Sequence, residues 1–335
     1  MKHILLIATG GTIASRHTED GLSPQMSGNE LLSYIPEAKN FCRIDVVQPF
    51  CLDSTNVHWK QWLELTGLIR KTYLDYDGFV ICHGTDTMAY TAAALSYLIQ
   101  HSLKPIVITG AQRPIDLSDT DARTNLLDSV RFASDDRAHD VVIVFGGSVI
   151  AGTRAKKERT KSYNAFSSIN YPPLAVIQDS RILFYINDKG YETKPVSFSD
   201  TLGEKVFLYR MIPGSDGTVL DTLMDRYDAL IIESFGVGGI PDYGDGSFRE
   251  AIRKWTAAGK IVIMATQVPN EGSDMSVYEV GNAVKNDYNI PESYDMTLES
   301  VIAKTMWILG QTKDRREFRK MFYTSINHDL LFIPE

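Results

Sequence analysis

The sequence is short of cysteine, of long apolar runs and of positive charge, and each shortage excludes something. Three cysteines in 335 residues (Cys42, Cys51 and Cys82) cannot all pair, and their spacings match no zinc pattern. Free thiols in a reducing compartment are expected. No stretch is apolar for long enough to span a bilayer, and residues 4–8 are too short for a signal peptide. A cytoplasmic protein with no membrane role is the simplest expectation. The net charge of -8 favours solubility and argues against a nucleic-acid partner. Seven histidines are dispersed with no pair at metal-ligand spacing, and there is neither an internal repeat nor a low-complexity tract. What remains, 44% hydrophobic and 23% charged, is ordinary globular material in a chain long enough for two domains.

What is present is an alternation. Short aliphatic runs at 3–8, 44–47, 79–82, 105–109 and 141–145 read as strands, separated by helical patterns such as that of Trp59, Trp62, Leu65, Leu68 and Ile69. Alternating strands and helices imply right-handed crossovers and a parallel sheet. After Phe145 the pattern turns to hairpins, at 146–161 around a basic run and again at 174–186. Residues 188–204 are polar and read as a linker. A second α/β series follows, with strands near 206–211, 229–232 and 261–264 and helices around 220–224, 248–255, 298–309 and 315–322. A helix is also expected over 119–133, between the fourth and fifth strands. The expected fold is therefore α/β: two doubly wound, mainly parallel-sheet domains, a larger amino-terminal one (1–187) and a smaller carboxyl-terminal one (205–335). Residues 16–26 show no periodicity and are expected to be a functional or mobile loop. Ser27 and Glu30 form a capping box opening a short helix. Trp59, Trp62 and Trp307 are expected in the core, and His83 is expected to fix its turn.

Each of the first four strands ends in a loop carrying Thr, Ser or Asp, and such loops gather on one edge of a parallel sheet, where open α/β sheets bind ligands. Two of these loops are glycine-hydroxyl turns, Ala8-Thr9-Gly10-Gly11-Thr12-Ile13-Ala14 and His83-Gly84-Thr85-Asp86-Thr87-Met88. Thr85 or Asp86 can equally cap the helix that starts near Thr87. Four turns converging on one polar crevice favour a functional site. A glycine-rich turn can cradle phosphate, but Asp53 and Asp86 in the same crevice would repel it.

These two turns, in this order and context, match the signature motifs of the bacterial-type L-asparaginase family. The chain also resembles that family at Asp53-Ser54, at Gly110-Ala111-Gln112-Arg113-Pro114, at Ala265-Thr266-Gln267-Val268-Pro269 and at Tyr278-Glu279-Val280-Gly281-Asn282. The resemblance implies hydrolysis of L-asparagine to L-aspartate and ammonia, without metal or cofactor, by a cytoplasmic homotetramer built from dimers whose sites borrow residues from a neighbour. It implies Thr12 as nucleophile and Thr85 as the hydroxyl that activates water. Asp86 would bind the substrate ammonium, Asp53, Ser54 and Thr55 would lie about its carboxylate, and Ala111 would belong to the substrate-binding turn. A base is needed as well. The residues alone leave Lys156, Lys157 and Lys161 open; the family's spacing from Arg154 to Ala165-Phe166 selects Lys157. Two departures stand out: Leu22 occupies the position where the family often has a tyrosine bonded to the nucleophile, and Thr55 stands where a glutamine is common. Glu271 and Tyr278 are candidates for a neighbour's site or for plain surface. Rival expectations are a glutamine-preferring amidohydrolase, a subunit of a tRNA-dependent amidotransferase, and a non-catalytic amino-acid-binding regulator.

Overall fold

The structure of the chain, a computed structural model, describes residues 1–19, 21–186, 194–241 and 244–331, without the side chains of residues 279 and 280. It divides into two compact units, Met1–Asp200 and Thr201–Glu335. The first begins with β1 (Lys2–Ala8), β2 (Ser15–Thr18), β3 (Gly21–Pro24), α1 (Gly28–Ser33), β4 (Cys42–Val47), α2 (Trp59–Thr72), β5 (Gly78–Cys82) and α3 (Met88–Leu98). It continues with β6 (Ile99–Gln100), β7 (Ile106–Thr109), α4 (Ala122–Ala133), β8 (Val141–Phe145), β9 (Ser148–Ala151), β10 (Ala155–Lys157) and β11 (Phe166–Ser168). Last come β12 (Ala175–Gln178), β13 (Arg181–Phe184) and β14 (Ser197–Phe198).

Eight strands form one sheet in the order β13-β12-β9-β8-β7-β5-β1-β4. From β4 to β8 every pair is parallel, with Ile4 opposite both Ile44 and Gly78, and Ile81 opposite Ile108. All five residues of β5 are buried, as a parallel strand covered on both faces requires. Val80, Cys82, Val107, Val142 and Val144 share a core with Leu126 and Val130 of α4. The alternate residues, Phe79, Ile81, Ile108 and Ile143, are fully buried too and by the period of a strand face the other way. Beyond β8 the sheet turns antiparallel through β9, β12 and β13, and β10 and β11 form a separate ribbon.

The second unit contains β15 (Val206–Arg210), β16 (Ala229–Ser234), α5 (Ser247–Ala257), β17 (Ile261–Thr266), α6 (Glu279–Tyr288), α7 (Leu298–Gln311) and α8 (Arg315–Phe322). Its three strands are parallel, in the order β15-β16-β17. Leu230, Ile232 and Met264 pack with Phe248 and Trp255 of α5. No described helix is long and apolar enough to cross a membrane.

Several local expectations need correction. Residues 16–26 are not an irregular loop: β2 and β3 pair as a hairpin, Arg16 opposite Ser23 and His17 opposite Leu22. Ladder hydrogen bonds hold this exposed, polar ribbon, so it leaves no apolar alternation to read. The expected helix at 119–133 starts only at Ala122, because the Asp121 carboxylate is bonded to the preceding turn. The turn of helix near Leu220 is a 3-10 segment, Gly217–Leu223, and α6 was not expected at all. Trp62 and Trp307 are buried, whereas Trp59 is only half-buried. The expected linker lies partly outside the described residues; in its described part β14 pairs with β6.

The strand ends are held together by backbone packed on backbone. Gly10 and Gly11 have φ of 103° and 75°, which only glycine adopts readily. A Cβ on Gly10 would overlap the Leu52 carbonyl, one on Gly11 the backbone of Gly84, and one on Gly110 the His83 carbonyl; on Gly84 it would lie 2.6 Å from Ser54 Cβ and Oγ. Gly11→Ala therefore combines a disfavoured φ with a steric clash, and a loss of roughly 3 kcal/mol or more is expected. Gly67, exposed in α2, has nothing within 4 Å of the place a Cβ would take; Gly67→Ala is expected to gain about 0.5–1 kcal/mol. Urea unfolding of both variants measures the contrast.

Candidate active site

The first turn follows β1. Thr9 N–H donates to Cys82 C=O at 3.0 Å, Leu52 N–H to Thr9 C=O at 2.9 Å and Gly11 N–H to Leu52 C=O at 2.9 Å. Thr12 then opens a short 3-10 turn, Thr12–Ala14, and is half-buried. Among the described residues no group hydrogen-bonds its hydroxyl. Leu22 is 45% exposed on β3 and carries no polar atom that could do so.

The second turn follows β4. The Asp53 carboxylate caps it, accepting from Thr55 N–H at 2.8 Å and from the Thr55 hydroxyl at 2.7 Å. Asp53 and Thr55 are exposed and turned to each other, while Ser54 is buried. Ser54 reaches the third turn: its Oγ accepts from Asp86 N–H at 3.3 Å, and its C=O from the Thr87 hydroxyl at 2.7 Å.

The third turn carries the central contacts. Lys157 Nζ donates to Thr85 Oγ1 and to Asp86 Oδ1, both at 2.7 Å. The lysine side chain is 16% exposed and that of Asp86 57%. Neither Thr85 nor Asp86 caps α3; its N-cap is Thr87, with no side-chain cap bond. The capping alternative is thus excluded for both residues. Of the three lysines left open, Lys157 makes this contact, and on β10 it pairs with Phe166 while Lys156 pairs with Ser167. Successive residues of a strand point to opposite faces, so only one of the two adjacent lysines can turn to Thr85.

Behind this turn His83 is fully buried, and burial pushes its imidazole down to about 4. Its neighbours fix the tautomer. Nδ1 lies 2.7 Å from the Gly84 carbonyl, which can only accept, so Nδ1 carries the hydrogen. Nε2 then accepts from the Thr91 hydroxyl at 3.0 Å, and Thr91 in turn accepts from Trp62 Nε1 at 3.0 Å. His83 is a structural brace of the turn, as its position in the sequence suggests.

The fourth turn, after β7, contains Ala111, fully buried, and Gln112. Asp121 holds it: the carboxylate accepts from Gln112 N–H at 3.0 Å, from Arg113 N–H at 3.1 Å and from Asn125 Nδ2 at 3.1 Å. Burial raises the Asp121 carboxyl above its ordinary range, opposed by these donors. Asn125 also donates to Gly110 C=O at 3.0 Å and accepts from Gly146 N–H at 2.9 Å. A cavity of about 550 Å³, lined by Gln112, Arg113, Thr160, Lys161, Ser162 and Tyr163, adjoins the site. The structure thus brings together Ser54, Thr85, Asp86 and Lys157 by direct contacts, with Thr12 one residue from the Gly11–Gly84 contact. Sequence reasoning missed Asp121 and the side chain of Gln112, whose partners no local pattern announces. Cys42, Cys51 and Cys82 are free, and burial pushes the Cys82 thiol up to about 12.

Compared with known proteins, residues 3–189 match the family model described as "Asparaginase, N-terminal", and residues 205–322 that described as "Glutaminase/Asparaginase C-terminal domain". The chain is 34% identical over 324 residues to an L-asparaginase of Thermococcus kodakarensis, covering 96% of this chain and 97% of that one. It is also 34% identical over 334 residues to a glutamyl-tRNA(Gln) amidotransferase subunit of Pyrococcus furiosus, covering 96% of this chain and 75% of that one. Among solved structures, the thermostable L-asparaginase from Thermococcus kodakarensis matches with a TM-score of 0.92 at 32% identity, covering 99% of this chain and 100% of that one.

The neutral state of His83 makes stability depend on pH. Between pH 6.5 and about 4 the unfolded chain protonates this histidine and the folded chain does not. Its contribution is complete above pH 6.5 and is lost as pH falls through that window, by on the order of 3 kcal/mol in all. The measurement is urea unfolding of wild type and His83→Gln at pH 7 and pH 4.5. The gap between the two proteins should narrow or reverse at the lower pH; a constant gap would exclude a buried neutral imidazole.

Proposed function

The chain belongs to the asparaginase family, and we propose that it hydrolyses L-asparagine to L-aspartate and ammonia through the Thr12 hydroxyl. The observation that carries this reading is Lys157 Nζ, held 2.7 Å from both Thr85 Oγ1 and Asp86 Oδ1 at the end of the parallel sheet. A carboxamide is a poor electrophile, so its hydrolysis needs a nucleophile, a proton carrier and an oxyanion site.

The roles follow from the groups each turn leaves available. Thr12 Oγ1 attacks the amide carbon, its proton passes to the leaving nitrogen, and ammonia departs from an ester on Thr12. Water, deprotonated through the Thr85 hydroxyl and Lys157, cleaves that ester, returning the proton to Thr12 and releasing aspartate. Gly11 N–H is already bonded to Leu52 C=O, so it is not an oxyanion donor. Thr12 opens a 3-10 turn, and the first N–H groups of a helical turn have no partner within it. We assign the oxyanion to the Thr12 and Thr85 N–H groups. Asp86 has one oxygen on Lys157 and a second oxygen with which to take the substrate ammonium. Ser54 Oγ accepts from Asp86 N–H, which leaves its own hydrogen for the substrate carboxylate. Asp53 and Thr55, bonded to each other, shape the rim on that side, and the Ala111 turn closes the other. A cytoplasmic homotetramer built from dimers goes with this reading.

A second reading draws on the equal identity to the amidotransferase relative: the same machinery would release ammonia from glutamine. The purified protein should release ammonia from L-asparagine well above L-glutamine. Thr12→Ala, Thr85→Val and Lys157→Met should each lower kcat/KM by about 10³-fold or more. Glutamine turnover exceeding that of asparagine would favour the second reading. Turnover surviving Thr12→Ala would assign the nucleophile elsewhere, and amino-acid binding without any turnover would leave a regulatory protein.

A further inference from the structure

Gln112 has no part in the chemistry assigned above, yet its side chain joins Thr85 to the segment that follows Lys157. Its Nε2 lies 3.3 Å from Arg159 C=O and 3.1 Å from Ser162 C=O. Both partners can only accept, so the amide has one orientation: nitrogen toward the 159–162 segment, oxygen toward Thr85 Oγ1 at 3.4 Å. The backbone of Gln112 is fixed as well, its N–H bonded to both oxygens of buried Asp121. On its other side the Thr85 oxygen accepts from Lys157 Nζ. With that oxygen occupied by the ammonium, the hydroxyl hydrogen is directed to Gln112 Oε1.

We infer that Gln112 is a positioning residue that holds the Thr85 hydroxyl hydrogen on the side away from Lys157. The inference rests on the reading that Thr85 and Lys157 act together on water. Two hydrogen-bond arrangements compete at this spot. In one, the Lys157 ammonium donates to Thr85 and Thr85 donates to Gln112. In the other, Lys157 has lost a proton to solvent, the hydroxyl has rotated, and Thr85 donates to the amine. Only the second lets the lysine draw on the hydroxyl proton. Gln112 stabilises the first, and so sets how readily the pair passes from rest to its working state. The charged groups around the pair are Asp86, in contact with Lys157, then Arg113, which is paired with Asp119, and Arg159, whose Nη1 donates to Asn164 C=O. Lys161 lines the adjoining cavity.

The test compares Gln112→Met and Gln112→Glu with the wild type as full-length proteins. Both substitutions remove the bonds to Arg159 and Ser162, so a loosened segment affects both alike; only the sign of their effect on the Thr85 hydrogen differs. Titration of Lys157 is followed by NMR of ¹³Cε-labelled lysine, assigned with Lys157→Met, alongside the pH dependence of kcat/KM for L-asparagine. Methionine removes the acceptor, and Lys157 is expected to lose its proton at lower pH. Glutamate strengthens the acceptor and adds negative charge, and the proton is expected to leave at higher pH. Shifts of about half a unit or more in opposite directions are expected. The pH dependence of kcat/KM should move with each titration, to lower pH in the Met variant and to higher pH in the Glu variant. Titrations that stay put or move the same way in both variants would overturn the inference and leave Gln112 a loop anchor. The NMR arm requires no turnover. A wild type that releases no ammonia therefore refutes the proposed reaction, while the two titrations still decide the role of Gln112.

Discussion

Everything in the candidate site depends on how closely its turns approach one another. At Gly11 and Gly84 the main chain of one turn lies directly on the main chain of the next, with no volume between them for a single methyl group. The same holds at Gly10 against Leu52 and at Gly110 against His83. Parallel strands sit about 4.8 Å apart, and turns at their ends would normally splay outward to make room for side chains. Glycine removes that need. Thr12, Ser54 and Thr85 are consequently held by backbone bonded to backbone across three strands, and not by flexible side chains reaching in from a distance. Preorganisation of this kind matters because a misplacement of about 1 Å costs on the order of 10²-fold in rate.

The polar groups behind the turns serve the same constraint. His83, Thr91 and Trp62 form a chain in which every hydrogen has a single place to go, ending at the Gly84 carbonyl. Asp121 and Asn125 do the same for the Gly110–Pro114 segment. Such networks tolerate burial because each member is satisfied. The lysine arrives by another route. Beyond β8 the parallel order ends, and the β10–β11 ribbon carries Lys157 to the edge where the parallel strands terminate. The departure from the repeating βα pattern is therefore what brings Lys157 to Thr85.

Much of this was legible from residues. The buried parallel strands announce themselves as apolar runs of four to six, and the turns as the abrupt change to glycine and hydroxyls. The hairpin at 15–24 was not legible, since β2 and β3 are exposed on most positions and pair through main-chain groups. Lys157 could be separated from Lys156 by residues alone only with the ribbon register in hand. Gln112 lay beyond reach for a different reason: its partners are carbonyl oxygens 47 and 50 residues away. Backbone acceptors are present at every residue and leave no trace in composition or spacing.

The rigidity that places Thr12 also bears on which amide the site prefers. L-Glutamine is longer than L-asparagine by one methylene, and a pocket that merely binds apolar length separates such pairs by only about 1–3 kcal/mol. Here the two ends of the substrate are assigned to groups that cannot move independently. Ser54 and Asp86 are bonded to each other, and Gly84, between Asp86 and the first turn, is packed against both Ser54 and Gly11. An amino acid fixed at its α-ammonium and carboxylate must then present its amide carbon at one distance from Thr12. An extra methylene would have to be folded back or would have to displace the rim, where Asp53 and Thr55 are exposed and bonded to one another. Under the proposed assignment, length selectivity would rest on the exposed rim, and the reaction on groups that the buried glycine contacts hold in place.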